Sequence, residues 1–194
     1  MKYIVGIDEV GRGPLAGPVT VCAVCCSVSE YRKLKRLKSL PKSGLDSKKI
    51  KSQDRKKFEH ILKHIGISYV VSHVSNKVID ERGISYAINL AISKNLKKLF
   101  ILYETQVLLD GGLKAPKEFI HQKTIIKGDE KEKIIAWASI LAKVSRDSLM
   151  AKLHKKFPEY GLDTHKGYGT KKHRDAIRKY GLSTIHRKTW IHID

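Results

Sequence analysis

The sequence predicts an α/β fold, a mixed sheet flanked by helices, and three observations lead there. Of 194 residues, 41% are apolar, which suits one globular domain large enough to bury a core without disulfide staples. Two strand-like apolar runs, YIVGI and VTVCAVCCSV, come first, separated by a Gly/Pro turn. Strand and helix patterns then alternate, an order that favours a mixed sheet over a purely parallel one.

Each element has a local reason. Residues 3–7 read as a buried strand, 11–18 (GRGPLAGP) as a turn and 19–28 as a second strand. Ser29 is placed to cap a short helix with Tyr31, Leu34 and Leu37 at helical spacing and Pro41 beyond its end. Residues 42–51 (KSGLDSKKIK) form a basic loop. Ser52 is placed to cap a helix with the stripe Phe58, Ile61, Leu62 and Ile65. A strand follows at 67–74, then a helical pattern over 75–98 that breaks at Gly83. QVLLDGG (106–112) is a short buried strand ending in an aspartate and two glycines, and 123–127 is a further strand. The longest helix covers 129–156: Asp129 and Glu132 have capping-box spacing, and Lys152, Lys155 and Lys156 suit its C-terminus. Thr170 caps a last helix to about Tyr180, and Gly181 ends it.

Charge narrows the function. There are 39 Lys and Arg against 19 Asp and Glu, a net charge of +20. Such a surface points to a polyanion, with nucleic acid the default and a merely solvated basic surface the alternative. No run of 18 apolar residues exists, so no membrane span is expected. Asp8 falls too early for a signal-peptide apolar region, so a cytoplasmic location is expected. Cys22, Cys25 and Cys26 all lie in one strand, where Cys22 and Cys25 face opposite sides. They lack the turn and second ligand pair of a zinc knuckle and read as small core residues.

Four acidic positions stand out in a chain with few acids. Asp8 and Glu9 end the first strand, and Asp110 ends a buried strand. Asp147 shares a helical face with Ile140 and Val144. Any one alone is better explained by a salt bridge or cap. Together they suggest an all-oxygen site for magnesium or manganese, because carboxylates on buried elements are costly unless paired or metal-bound. His60 and His64 have i,i+4 spacing but no adjacent glutamate, so an exposed helix face is the better reading. His165, His173 and His186 leave phosphate contact and simple packing equally open. Gly11-Arg12-Gly13 follows the acidic pair: glycines allow close backbone approach and arginine forks onto phosphate, although three residues also make an ordinary turn. Arg12, Lys48, Lys143, Arg146 and Lys166 are candidate phosphate contacts, with a solvated lysine or arginine an equally good reading for most of them.

The block GIDEVGRGPLAGPV (6–19) closely resembles the opening motif of the type 2 ribonucleases H, in particular bacterial ribonuclease HII. GLDSKK (44–49), LLDGG (108–112), KGDEKEKIIAWASILAKVSRD (127–147), HKGYGTKKH (165–173) and IHR (185–187) follow in family order, so the resemblance spans nearly the whole chain. It implies a ribonuclease H-like fold: a mixed five-stranded sheet flanked by helices, with a C-terminal helical extension from about 157 to 194 in a single catalytic domain. It implies cleavage of the RNA strand of RNA–DNA hybrids, and cleavage on the 5′ side of a single ribonucleotide embedded in duplex DNA. Two divalent ions would act, leaving 5′-phosphate and 3′-hydroxyl ends. By resemblance the metal carboxylates fall on Asp8, Glu9, Asp110 and Asp147. The substrate contacts fall on Gly11, Arg12, Gly13 and Tyr168, and Lys48, Ser139 and Lys143 are further candidate substrate contacts. Two departures stand out: Gly112 where the family usually has asparagine, and Trp190 where phenylalanine is commoner.

Two rival readings remain. A DNA junction resolvase would share such a fold but would not need Gly11-Arg12-Gly13 with Tyr168. A non-catalytic basic binding protein would not need four acids near buried elements. No sliding-clamp peptide is visible in the C-terminal WIHID, so no clamp partner is expected. No obligate protein partner and a monomeric state are the further expectations.

Overall fold

The computed structural model describes residues 1–36 and 52–191. Leu37, Pro41, the 42–51 loop with Lys48, and the last three residues lie outside the described residues. Five strands, β1 (Tyr3–Val10), β2 (Val19–Ser27), β3 (Ser68–Val74), β4 (Gln106–Asp110) and β5 (Gln122–Ile125), form one mixed sheet in the order β3-β2-β1-β4-β5. β1 pairs antiparallel with β2 and parallel with β4. β2 pairs antiparallel with β3, and β4 parallel with β5.

Alternation along β2 divides the core. Cys22, Val24 and Cys26 pack with Ile4 and Leu108 on one face, while Val21, Ala23 and Cys25 pack with Val5, Ile7, Val107 and Leu109 on the other. Both faces are covered, which is why the central strands are continuous apolar runs. The second face is covered by α4 (Ile84–Lys98) through Ala87, Ile88, Ala91 and Ile92. The first is covered by α2 (Ser52–His64) and α6 (Lys133–Lys156). Every residue of α6 from Ile134 to Ala142 is buried, as expected for a helix laid along the middle of a sheet. Gly6 permits this: a Cβ there would stand 2.5 Å from the main chain of Ile134.

Local capping departs from expectation twice. Ser27, not Ser29, caps α1 (Val28–Leu34): its hydroxyl accepts the Glu30 N–H at 3.1 Å, and the Glu30 carboxylate accepts the Ser27 N–H at 2.8 Å. That reciprocal box needs a carboxylate three residues on, and only Ser27 has one. The expected Asp129–Glu132 box is absent. Glu132 is extended and separates α5 (Gly128–Lys131) from α6, and its carboxylate accepts the Tyr31 hydroxyl at 3.1 Å. The 75–98 pattern splits at Gly83, as expected, into α3 (Asn76–Arg82) and α4.

Beyond α6 come a 3₁₀ turn at Pro158–Tyr160, α7 (Leu162–His165) and α8 (Lys171–Tyr180), capped by the Thr170 hydroxyl. They enclose a smaller apolar cluster of Ala16, Met150, Tyr160, Leu162, Ile177 and Ile185. Among the described residues no helix is long and apolar enough to cross a membrane.

Candidate active site

The sheet register builds the acidic site. β1 and β4 run parallel with Ile7 opposite Leu109, so the next residues along, Asp8 and Asp110, arrive side by side at the strand ends. Ligands of α/β sheets commonly bind at such carboxyl ends. Glu9 follows Asp8, and Asp8, Glu9 and Asp110 each offer an oxygen within 4.8 Å of the others.

Each carboxylate has its own support. Asp8 is buried, and its Oδ1 accepts the Glu9 N–H at 2.7 Å. Burial holds the Asp8 carboxyl well above the usual range, with the charges of Glu9 and Asp110 adding to the rise. Hydrogen bonds from the Ser139 hydroxyl and the Glu9 N–H oppose it. Burial also raises Glu9, against the pull of Arg12, whose Nη1 lies 3.2 Å from Glu9 Oε1. Asp110 Oδ1 accepts the Gly128 N–H at 2.6 Å.

Three mutually repelling carboxylates at strand ends are what a divalent cation would neutralise. The buried Glu9 Oε2 has no hydrogen-bond partner, an acceptor that a cation would satisfy. The donors are all oxygen, and the three cysteines are buried in β2, so the residues fit a hard cation.

The structure places the other predicted residues unevenly. Asp147 is outside the close group. It lies eight residues after Ser139 on α6, about 12 Å of helix rise, and pairs with Lys143 Nζ at 2.9 Å. Lys143 is thus engaged within the protein. Ser139 is buried and its hydroxyl hydrogen-bonds Asp8, so it supports that carboxylate. Lys166 Nζ donates to the Asp163 carbonyl. Arg12 remains half exposed.

Arg146 overturns a sequence expectation. It is fully buried and cannot reach phosphate at the surface. Its Nε donates to Pro18 O at 3.1 Å, Nη1 to Lys166 O at 3.0 Å and Nη2 to Ala16 O at 3.4 Å. One side chain thereby ties the glycine–arginine–glycine loop to the loop of Tyr168. Gly11 has φ +86°, and a Cβ there would stand 2.2 Å from Arg146 Nε, so only glycine fits over this guanidinium. Leu15 N–H donates to Gly167 O at 2.8 Å, joining the same two loops. Tyr168 itself is 42% exposed, with the Arg146 guanidinium 5.9 Å from its ring centre.

The three C-terminal histidines pack inside. His173 and His186 are fully buried with their Nε2 atoms 3.2 Å apart, and the His165 ring stacks on His173 at 4.5 Å. Of the two readings left open by sequence, packing is the one realised. His60 and His64 lie on an exposed face, as expected. Sequence reasoning missed the fully buried Arg187, visible only as the last letter of IHR, and His73, which bridges the Thr20 and Ser145 hydroxyls at 2.8 and 3.1 Å.

Comparison with known proteins gives one family. The model described as Ribonuclease HII matches residues 5–193. Ribonuclease HII of Clostridium beijerinckii is 41% identical over 190 residues, covering 98% of this chain and 68% of that protein. Ribonuclease HII of Caldicellulosiruptor bescii is 43% identical over 191 residues, covering 98% and 87%. Among solved structures, the ribonuclease HII of Archaeoglobus fulgidus, determined in complex with PCNA, superposes with a TM-score of 0.76 at 25% identity, covering 99% of this chain and 96% of that one. The mixed five-stranded sheet, the acidic strand ends and the near-complete match to relatives agree: this chain belongs to the ribonuclease HII family and is a ribonuclease H.

Proposed function

We propose that this enzyme cuts the RNA strand of RNA–DNA hybrids and the 5′ side of a single ribonucleotide embedded in duplex DNA, leaving 5′-phosphate and 3′-hydroxyl ends. The observation that carries the reading is the convergence of Asp8, Glu9 and Asp110 within 4.8 Å, beside a loop locked to that of an exposed tyrosine.

Asp8, Glu9 and Asp110 would hold divalent metal, magnesium or manganese, with Asp147 completing a second site once Lys143 releases it. Bound metal would supply an activated water and charge stabilisation at the leaving 3′-oxygen. The Ser139 hydroxyl orients Asp8 and opposes the rise that burial causes, and the Gly128 N–H orients Asp110. Arg12, released from Glu9, would fork onto a phosphate. The backbone of Gly11-Arg12-Gly13 and the ring of Tyr168 would read the 2′-hydroxyl and stack on the sugar at the junction.

The test is incubation with a DNA duplex containing one ribonucleotide, a continuous RNA–DNA hybrid and an all-DNA duplex, each with and without magnesium. Metal-dependent cleavage of the first two, with a 5′-phosphate product, is expected. Cleavage of the all-DNA duplex, or none of the single-ribonucleotide duplex, overturns the reading.

A further inference from the structure

The C-terminal segment 183–191 passes behind the glycine–arginine–glycine loop, and one of its side chains holds that loop from within. Arg187 is fully buried. Its Nε donates to Gly17 O at 3.1 Å, Nη1 to Arg12 O at 2.8 Å and Nη2 to Gly11 O at 2.6 Å. Its own N–H donates to Leu15 O at 2.8 Å, and the Gly17 N–H donates back to Ile185 O at 2.9 Å. The Trp190 ring covers the guanidinium at 4.8 Å. Asp80, on α3, anchors the segment by accepting the N–H groups of Lys188 and Thr189 at 3.0 and 3.2 Å.

Peptide geometry gives this arrangement a consequence. In a trans peptide the carbonyl and the following N–H lie in one plane and point in opposite directions, and no peptide here is cis. Arg187 draws the carbonyls of Gly11 and Arg12 inward. The N–H groups of Arg12 and Gly13, on the same two planes, must then point away from the buried guanidinium. Arg12 and Gly13 are both exposed. A planar fork with several donors can orient adjacent carbonyls in this way, whereas a lysine ammonium can only attract them.

We propose that Arg187 is the positioning residue for ribonucleotide recognition, aiming the Arg12 and Gly13 N–H groups at the substrate and so setting selectivity for a single embedded ribonucleotide. The proposal rests on the junction-cutting function proposed above. A lone ribonucleotide presents its 2′-hydroxyl in one register, so recognition depends on donors held to within a fraction of an ångström. A continuous RNA strand offers neighbouring hydroxyls and tolerates a looser loop.

The test compares wild type with Arg187→Lys and Arg187→Met on both substrates, measuring kcat and KM, the salt dependence of duplex affinity and the magnesium concentration for half-activity. The expected loss in kcat/KM is about 100-fold on the single ribonucleotide and less than about fivefold on the continuous hybrid. Arg187→Lys should recover part of the difference. The salt slope and magnesium half-point should stay unchanged, because Arg187 touches neither phosphate nor carboxylate. Trp190→Leu, which uncovers the guanidinium without deleting it, should show the same substrate bias at smaller size, and it stands in should both Arg187 variants fail to fold. Equal losses on the two substrates, or a salt slope lowered by about 0.9, the signature of a lost phosphate contact, overturn the proposal. A wild-type enzyme that cuts the continuous hybrid but ignores the single ribonucleotide overturns the underlying reading and the proposal with it, a result separable from any variant's behaviour.

Discussion

Asp110 Oδ1 accepts the Gly128 N–H at 2.6 Å, a bond that joins the end of β4 to the first residue of α5 and fixes the orientation of one carboxylate of the acidic group. Gly128 is buried, and a Cβ there would stand 3.2 Å from that oxygen and 2.7 Å from Ile135 Cδ1, so the contact leaves little room for a side chain.

Asp110→Asn keeps this bond, since an amide oxygen can still accept it, and removes only the charge. Cleavage with magnesium should fall by a factor on the order of 100 or more, matching the loss of a preorganised charged group. Duplex binding without metal should persist or tighten, because repulsion of phosphate is reduced. Wild-type cleavage rates in Asp110→Asn would remove Asp110 from the metal site.

Arg12 is proposed as a phosphate contact: half its side chain is exposed, and among the described residues its ion-pair partner is Glu9. Neutralising it should flatten the dependence of log affinity on log salt by about 0.9 for a B-form duplex. Equilibrium binding at four or five salt concentrations measures this. An unchanged slope in Arg12→Ala would mean that Arg12 stays paired with Glu9 in the complex.

The buried histidines make stability depend on pH. Ser183 N–H donates to His186 Nδ1 at 3.0 Å, His186 Nε2–H donates to His173 Nε2 at 3.2 Å, and His173 Nδ1–H donates to Tyr168 O at 3.0 Å. This chain is complete only with both rings neutral. Burial lowers His173 to about 4, with the nearby His165 and His186 adding to it. The unfolded chain therefore binds the extra proton between about pH 6.5 and 4, and stability is lost as pH falls through that window. At pH 5 the loss from His173 is about 2 kcal/mol, or about 4–8 °C in Tm relative to pH 7. Thermal unfolding of wild type and His173→Asn across pH 5–7 checks this: the variant should start less stable and show a shallower slope. Parallel slopes would assign the acid sensitivity elsewhere.

Tyr168 stands at the top of this chain, its carbonyl held by His173 and its ring accessible. Tyr168→Ala should damage cleavage at a single embedded ribonucleotide by roughly 10-fold or more beyond its effect on a continuous hybrid, given that one stacked aromatic is worth about 1–3 kcal/mol. Tyr168→Phe should be milder, because the stacking face remains. Steady-state rates on both substrates at one salt and one metal concentration decide it. Equal losses would limit Tyr168 to supporting the loop.

Much of the fold and of the acidic site was legible in the residues alone. The continuous apolar run of β2 follows from burial on both faces, and acids at the ends of YIVGI and QVLL are visible because charge is costly where a buried strand stops. The order of motifs from GIDEVGRG to IHR identified the family. What depends on neighbours distant in the chain was not legible. A lone basic letter reads the same on a surface and in a core, so Arg146 resembled a phosphate ligand, and only the tertiary structure shows its three nitrogens spent on the carbonyls of Ala16, Pro18 and Lys166. Glu132 had the spacing of a helix cap, yet it serves Tyr31, 101 residues away in sequence. The close approach of Asp8 to Asp110 depends on the parallel register of β1 and β4, which pairs residues about 100 positions apart. The sequence by itself determined which residues are acidic, apolar or glycine, and thereby the strands, the family and the candidate metal ligands. The tertiary structure decided which of them meet, because hydrogen-bond partners and desolvation are properties of neighbours in space.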